Sequence, residues 1–530
     1  VKPIDIKPGD MDIVREILAR HVPEREVRAF GSRVSWTANE FSDLDLAVMG
    51  DEPLSMSVLA DIKEEFENSD LPIKVDVVDW AVTKENFRKI IEKEFVVIQK
   101  GGKKSRGMAG KWMSQPLEDC MEVIIDYRGK TPAKTSFGIP LITAKVVKSG
   151  RIETPNEFIA VEDYEPWMRR GMPKTGDVVI TTEAPLGEVA QLGPGRVALA
   201  QRLITLRGKT GLLDNGFLKF LMQSEDVQEQ LRARASGTTV LGIKQSEIRK
   251  VLLTLPPLAE QKAIAHILGT LDDKIELNRR MNETLEQMAR ALFKHWFVDF
   301  EFPNSEGKPY KSSGGKMINS ELGEIPKGWE VLPFADTVDI FSGGTPKTSV
   351  PEYWNGDIPW YAVGDAPSQS ELFVIDTDKK ITKAGVDNSA TQILPVGTTI
   401  ISARGTVGKL ALTCMPIAMN QTCYGLRGKQ SDNSFYTFFS TQNLISTLQQ
   451  NTHGSIFDTI TRDTLNSVSV INPISRLMEQ FESEISPLMR RILKNLWQNH
   501  ALAAIRDALL PKLLSGEIRI NELERVMEEY

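Results

Sequence analysis

Residues 271–293 read LDDKIELNRRMNETLEQMARALF, and residues 488–510 read LMRRILKNLWQNHALAAIRDALL. The two stretches lie 217 positions apart and share a frame: Asn278, Leu285, Met288, Leu292 and Phe293 fall on Asn495, Leu502, Ile505, Leu509 and Leu510. Leu271 and Ile275 fall likewise on Leu488 and Ile492. Each stretch is also periodic in itself. Ile264, Leu268, Leu271, Ile275, Asn278, Asn282, Leu285, Ala289, Leu292 and Trp296 alternate by fours and threes. The later run is Phe481, Ile485, Leu488, Ile492, Asn495, Asn499, Leu502, Arg506, Leu509 and Leu513. A sustained four-three spacing predicts a coiled-coil seam. Two amphipathic helices packed on separate domains would share the spacing, but they would not explain polar Asn at the same two seam positions in both copies. A buried Asn lowers stability unless a polar group faces it, and it fixes register when one does. The asparagines are mid-seam, so they meet in either a parallel or an antiparallel pair, and the sequence does not choose. A helix of about 40 residues is ~60 Å long, a little under two turns of B-DNA.

The duplication extends upstream with small gaps. Thr131-Pro132 matches Thr345-Pro346, Ile139-Pro140 matches Ile358-Pro359, Gly176–Ile180 resembles Gly397–Ile401, and Leu206–Lys209 matches Leu426–Lys429. Gln201 recurs as Gln421. The chain therefore reads as an N-terminal unit followed by two copies of a globular-plus-helical module. The globular parts have many short strand candidates, among them Asp177–Thr181, Val197–Leu206, Thr399–Ser402 and Ala418–Leu426, with frequent Gly and Pro between them. The expected layout is an N-terminal α/β unit at 1–100, a Gly-rich basic linker at 101–111, a first globular part at 112–255 and a first long helix at 256–300. A Gly, Ser, Pro and Lys-rich connector follows at 301–328, then a second globular part at 329–470 and a second long helix at 471–520.

Composition narrows the classes. The chain has 530 residues, 41% hydrophobic and 25% charged, which excludes wholesale disorder. No run of about 18 uncharged apolar residues predicts a membrane span. The start, Val1-Lys2-Pro3-Ile4-Asp5, lacks the pattern of a signal peptide. Cys120, Cys414 and Cys423 are too scattered for a disulfide framework or a zinc site, and the five histidines have no metal-type spacing, so a cytoplasmic protein is expected. Residues 1–100 hold 14 Lys and Arg against 21 Asp and Glu, which is the chain's entire net charge of −7. The balanced remainder is compatible with nucleic-acid binding, because clustering on a face matters more than the sum.

The acidic unit carries a catalytic pattern. Gly31-Ser32 is followed by Ser42-Asp43-Leu44-Asp45 entering an apolar stretch. On a strand, Asp43 and Asp45 face the same way. Such a carboxylate pair suits Mg²⁺, and Asp76 on another predicted strand adds a third acid for a two-metal displacement. Ser32 and nearby N–H groups, if they open a helix, would hold a triphosphate. Residues 1–100 resemble the minimal nucleotidyltransferase family, whose members often act as antitoxins beside a small helical toxin. The resemblance implies that Gly31 and Ser32 touch phosphate, and that Asp43, Asp45 and Asp76 hold metal and are catalytic, with Mg²⁺ and a nucleoside triphosphate as cofactors. Many members carry Gly where Trp36 stands.

The duplicated part resembles type I restriction–modification specificity subunits. The motifs are Leu255-Pro256-Pro257-Leu258-Ala259-Glu260-Gln261, Leu271–Asn278, Trp296-Phe297-Val298-Asp299-Phe300 and Ser320–Trp329 in the first half. Ser342–Pro346, Ile358-Pro359-Trp360 and Leu509–Ile518 follow in the second. The resemblance implies an α+β multidomain chain: two α/β target-recognition domains joined by a long antiparallel two-helix coiled coil, plus the nucleotidyltransferase-like domain. It also implies that each reader binds one half of a split double-stranded DNA target, with no cofactor for recognition. Methyltransferase subunits dock on the helices and a motor–nuclease subunit joins for cleavage. The absence of a G-x-x-x-x-G-K-[ST] motif agrees with a chain that supplies no motor. Asn472-Pro473-Ile474 resembles a methyltransferase motif superficially, but it lacks the aromatic residue and reads as structural.

Phosphate contacts should come from Lys, Arg and small polar groups, and base contacts from Arg, Lys, Asn or Gln. Lys130, Lys134, Arg169, Arg170, Arg232 and Arg234 are candidates in the first reader, and Lys347, Arg404 and Lys409 in the second. A residue shared by both copies cannot by itself explain two different half-sites, so Gln201 and Gln421 are expected to serve folding. The competing reading is a nucleotidyltransferase whose remainder is a targeting module; a purely structural coiled-coil scaffold is a third.

Overall fold

The computed structural model describes residues 4–23, 25–39, 42–50, 53–54, 56–69, 71–83, 85–100, 112–127, 131–237, 240–367, 371–430, 433–451 and 459–518. The chain splits into two compact units, Val1–Lys262 with Lys512–Tyr530, and Ala263–Pro511. The linker predicted at 101–111 lies outside the described residues.

In the first unit, the N-terminal domain is a four-stranded sheet of order β3-β2-β1-β4, with β1 Val27–Phe30, β2 Leu44–Val48, β3 Val75–Asp79 and β4 Val96–Gln99. Helix α1 (Pro8–His21) starts at a proline, which needs no N–H in the first turn, and it closes on Arg20 and His21, which suit the negative end of the helix dipole. Its Val14, Ile17 and Leu18, three and four apart, are buried in one core with Leu44, Leu46 and Val48 of β2. β2 and β3 are parallel, joined through α2 (Met56–Glu67), the crossover that a parallel pair requires.

The same unit holds the first globular module. Strand Met113–Pro116 pairs with Leu252–Leu255, closing the module by its two ends. Between them lies a sheet of order 186–191, 178–182, 203–208, 121–126, and a smaller one of order 158–159, 139–142, 198–199. Val178, Val179 and Ile180 are fully buried, as expected for a strand flanked on both sides. The motif ending at Gln261 ties the first turn of the long helix to this module. Gln261 is buried, donates to Leu212 O and Pro256 O at 3.0 and 2.9 Å, and accepts from Asp214 N–H at 2.9 Å.

The second unit repeats that design. Strand Glu330–Pro333 pairs with Ser469–Asn472, so Asn472 is a strand residue at a module boundary. The larger sheet runs 338–342, 423–428, 399–402, 410–413, with 373–374 added at the edge, and the smaller runs 379–381, 354–361, 418–419. Four larger-sheet strands and all three smaller-sheet strands keep the order of the first module. The connector at 301–328 is packed: Phe302 stacks between Tyr310 and Trp329, with ring centroids 4.5 and 5.3 Å away. Residues 317–320 and 323–326 form a hairpin. Its polar composition signalled a loop, but its aromatic residues anchor it.

The long helices are Leu258–Phe293 and Ser475–Ser515. Within the second unit they meet along one seam. Asp272 contacts Arg506, Asn278 contacts Asn499, Asn282 contacts Asn495 and Phe293 contacts Phe481. One index rises as the other falls, so the pair is antiparallel. Seam residues Ile264, Leu268, Ile275, Ala289, Trp296, Phe481, Ile485 and Ile492 are buried. The first helix ends in a π-type turn at Lys294–Val298, and the equivalent point in the second carries Pro511 inside the helix. That turn delivers Trp296 and Phe297 into a cluster with Phe293, Phe300, Phe302, Trp329, Tyr436 and Phe481, so the aromatic residues of the Trp296–Phe300 motif are core.

Candidate functional site

The N-terminal carboxylates converge. In the parallel pairing of β2 with β3, Asp45 is directly beside Asp76. Asp43 lies two residues before Asp45, on the same face by the strand period. Burial, then Asp76 and then Asp43, push the Asp45 carboxyl above its ordinary value, partly offset by Lys74. The Lys74 ammonium is 2.9 Å from Asp76 and 4.0 Å from Asp43, and that contact holds its own pKa up. The composition of the unit did not single out Lys74; its place one residue before β3 was the available signal. Gly31 is required here. It holds φ +80°, and a Cβ on it would come within 2.4 Å of Asp45 Oδ2.

The segment after Gly31 does not open a helix. Val34 and Ser35 N–H both donate to Gly31 O at 3.1 Å, and Thr37 N–H donates to Ser32 O at 3.0 Å, forming compact turns. Trp36 takes φ +58°, which Gly would adopt at lower cost, and its ring is exposed. Buried Arg33 pins the loop by donating to Ser42 O at 2.9 and 2.6 Å and to Asp5 O at 2.9 Å. Carboxylate oxygens are the type of donor that a hard divalent cation takes. As placed, no three or more His, Cys, Asp or Glu side chains among the described residues are grouped so as to hold a metal ion; Lys74 bridges two of the three acids instead. Asp79, the other acid of β3, is structural, accepting from Leu54 and Ala81 N–H at 2.7 and 2.9 Å.

The seam asparagines form a second polar cluster. Asn278 donates to Asn499 Oδ1 and Gln498 Oε1 at 2.9 Å each, and Asn495 donates to Asn282 Oδ1 at 2.8 Å. The layer is incomplete, because Asn278 Oδ1, Asn282 Nδ2 and Asn499 Nδ2 are buried without a partner among the described residues. Toward one end, Arg506 Nη1 donates to Asp272 at 2.8 Å, where the duplicated position of Arg506 is Ala289.

The predicted DNA contacts are scattered. Lys134 is 2.8 Å from Glu157, Arg170 donates to Asp126 O at 2.7 Å, and Arg232 pairs with Glu225. Arg234 donates to Gln230 O at 3.3 Å. Arg169, Lys347, Arg404 and Lys409 are exposed, and Lys130 lies outside the described residues. Gln201 donates to Thr131 Oγ1 at 3.0 Å, and its counterpart Gln421 bonds the matching Thr345, so the two copies share one clamp. An open cleft of about 560 Å³ in the first module brings Gln201 together with Arg202, Glu183 and Lys244. The last three were missed; the charged residue directly after the recurring Gln was the available signal.

Two copies of one α/β module, each followed by a long helix that enters a common seam, define a two-reader protein with a separate acidic domain in front. The chain belongs to the type I restriction–modification DNA specificity family, whose domain model matches residues 110–287 and 326–494. The polymerase beta nucleotidyltransferase model matches residues 14–101. The MjaIX type I restriction enzyme specificity subunit of Methanocaldococcus jannaschii is 28% identical over 423 residues, covering 78% of this chain and 94% of that one. A probable protein adenylyltransferase, MntA of Haemophilus influenzae, is 51% identical over 96 residues, covering 18% of this chain and 84% of that one. The crystal structure of a type I system S subunit from M. genitalium is 16% identical, covers 76% of this chain and 96% of that one, and gives a TM-score of 0.45. No helix among the described residues is long and apolar enough to cross a membrane.

Proposed function

We propose that this chain gives a type I restriction–modification complex its DNA specificity by reading a bipartite duplex target, one half per module. The observation that carries this reading is the repeated sheet topology combined with an antiparallel seam. A repeated scaffold supplies two readers, one for each half of a split target, and the antiparallel seam joins the helices that follow them. Recognition needs no cofactor. Methyltransferase subunits dock on the helices: Met288 and Ile505, equivalent under the duplication, are both exposed apolar residues, as two copies of one partner would require. A motor–nuclease subunit joins for cleavage, and the complex works on chromosomal DNA in the cytoplasm. Selection from a randomised duplex library, with the chain alone and with methyltransferase subunits, should return two short fixed blocks separated by an unread spacer. Recovery of no split motif in either setting would sink this reading.

A second activity is favoured by one observation, the close approach of Gly31 to Asp45, which lies beside Asp76 in the strand pairing. The N-terminal domain transfers a nucleotide, as the name of the MntA relative suggests. Asp43, Asp45 and Asp76 would hold Mg²⁺, which supplies charge neutralisation for a triphosphate. Gly31 leaves room for phosphate beside Asp45, and Ser32 contributes polar contact. Lys74 balances the acids and yields to the stronger cation. Mg²⁺-dependent incorporation of radiolabelled nucleotide, compared between the native chain and an Asp43→Asn/Asp45→Asn variant, tests this; equal incorporation by both removes it.

A further inference from the structure

The two readers can be matched by their hydrogen bonds. In the first, Thr182 N–H donates to Arg202 O at 2.9 Å and Ile243 N–H donates to Thr182 O at 3.0 Å. In the second, Ala403 N–H donates to Thr422 O and Ile460 N–H to Ala403 O, each at 2.8 Å. Glu188 N–H donates to Thr181 Oγ1 at 2.9 Å, and Lys409 N–H to Ser402 Oγ at 2.8 Å. Glu183 bridges Gly242, and Arg404 bridges Thr459. Glu183 and Arg404 therefore occupy the same place, directly after the matched pair Thr182 and Ala403 and beside the same Gln–Thr clamp.

The scaffold at this place is constant and the chemistry is inverted. In the first reader Glu183 is 3.4 Å from Arg202, and both line the cleft with Lys244. In the second, the positions of Glu183, Arg202 and Lys244 carry Arg404, Thr422 and Thr461. Glu183, Arg202 and Arg404 reach solvent, so they are not needed for either core. Arg202 holds φ +73°, a conformation that a long side chain adopts at a cost and that its carbonyl's bond to Thr182 maintains. Two readers that share a fold but recognise different half-sites must differ somewhere in this way. Arginine reads the O6 and N7 acceptors of guanine, and a carboxylate accepts from the amino group of cytosine.

We infer that the position shared by Glu183 and Arg404 is a base-reading position that makes the half-sites differ. Arg404 selects a guanine, and Glu183, oriented by Arg202, selects a cytosine. The inference rests on the bipartite-specificity reading above.

The test is selection from a randomised duplex library by the full chain with its methyltransferase subunits, comparing the native protein with Arg404→Glu, Arg404→Gln and Glu183→Gln. Arg404→Glu should reduce the preference for guanine at one position of one half-site by about five- to a hundredfold and leave the other half unchanged. Arg404→Gln should shift that position toward adenine. Glu183→Gln should relax a cytosine in the opposite half. Both side chains are exposed, so unchanged thermal midpoints should accompany these effects. Variants that recover the native motif would overturn the inference. So would variants that weaken binding uniformly with a shallower salt dependence, the signature of a phosphate contact. Recovery of no split motif by the native protein would instead overturn the underlying reading, and that result is visible before any variant is compared.

Discussion

The chain holds two groups of polar side chains, one buried at the seam and one half-exposed in the N-terminal domain, and they answer crowding in opposite ways. At the seam, Asn278, Asn282, Asn495 and Asn499 are neutral and carry both donors and acceptors, so they bond one another, although three of their amide atoms stay unpaired. In the N-terminal domain, Asp43, Asp45 and Asp76 carry one sign and only acceptors when ionised, so they repel, and Asp45 is pushed toward its protonated form. The difference separates a structural polar layer from the acids proposed above to take a cation. The largest effect expected follows directly. Asp43→Asn/Asp45→Asn should lower Mg²⁺-dependent nucleotide transfer at least about a hundredfold, roughly 3 kcal/mol of barrier, while leaving the target motif returned by library selection unchanged. Loss of both would break the comparison by making the acids part of the fold.

The seam should respond in stability rather than in chemistry. Asn278→Ala removes the donor to Asn499 and Gln498, leaving the buried Asn499 acceptor without it, and should cost about 1–3 kcal/mol in chemical denaturation of the second unit. Replacing Asn278 and Asn499 together by Leu should cost less than the single change, because no polar partner is stranded and three unpaired buried amide atoms already weigh against the native layer. If the double variant loses more than the sum of the singles, the amides act as something other than a closed pair.

A smaller effect sharpens the contrast between charge and amide within the seam itself. Arg506 and Asp272 are both about four-fifths buried, with 19% and 17% of their side chains exposed. The duplicated position of Arg506 is Ala289, so the seam accepts a small apolar group there. Arg506→Ala should cost about 1 kcal/mol, between the values for exposed and buried ion pairs, and the loss should shrink when Asp272→Ala is added. A thermal midpoint unmoved by Arg506→Ala would mean that the ion pair contributes nothing beyond the apolar seam.

Much of this was legible in the residues, for identifiable reasons. The four-three spacing and the recurrence of Asn at offset 217 specify a seam, because only pairing makes repeated buried amides tolerable. The spaced aspartates specify one face, because the strand period is two. The direction of the seam was not legible: both arrangements bring mid-seam asparagines together, and only the descending partners of Asp272, Asn278, Asn282 and Phe293 decide it. Lys74 was missed because a single Lys before a strand has no pattern of its own. Arg202 and Glu183 were missed because the cleft that joins them is assembled from segments 19 residues apart along the chain, with Lys244 further still.

The smallest effect is the pH dependence of the N-terminal domain, and its sign is set by Asp45. Its folded-state pKa is raised, chiefly by burial and then by Asp76 and Asp43. The folded state therefore holds the proton more tightly than the unfolded chain, and stability falls as pH rises through that interval. The cost is fully present above the folded pKa and is relieved as pH falls toward the ordinary value of 3.8. Asp45→Asn lacks this cost, so at neutral pH without Mg²⁺ its β2 amides should exchange with solvent more slowly than those of the native chain, and the gap should close on acidification. Adding Mg²⁺ should reverse the order, because a ligand that binds the folded native site stabilises it by mass action and has weaker purchase on the variant. A gap that widens on acidification would mean that the folded site favours the Asp45 carboxylate over its protonated form, and the carboxylates would then resemble the asparagine layer after all.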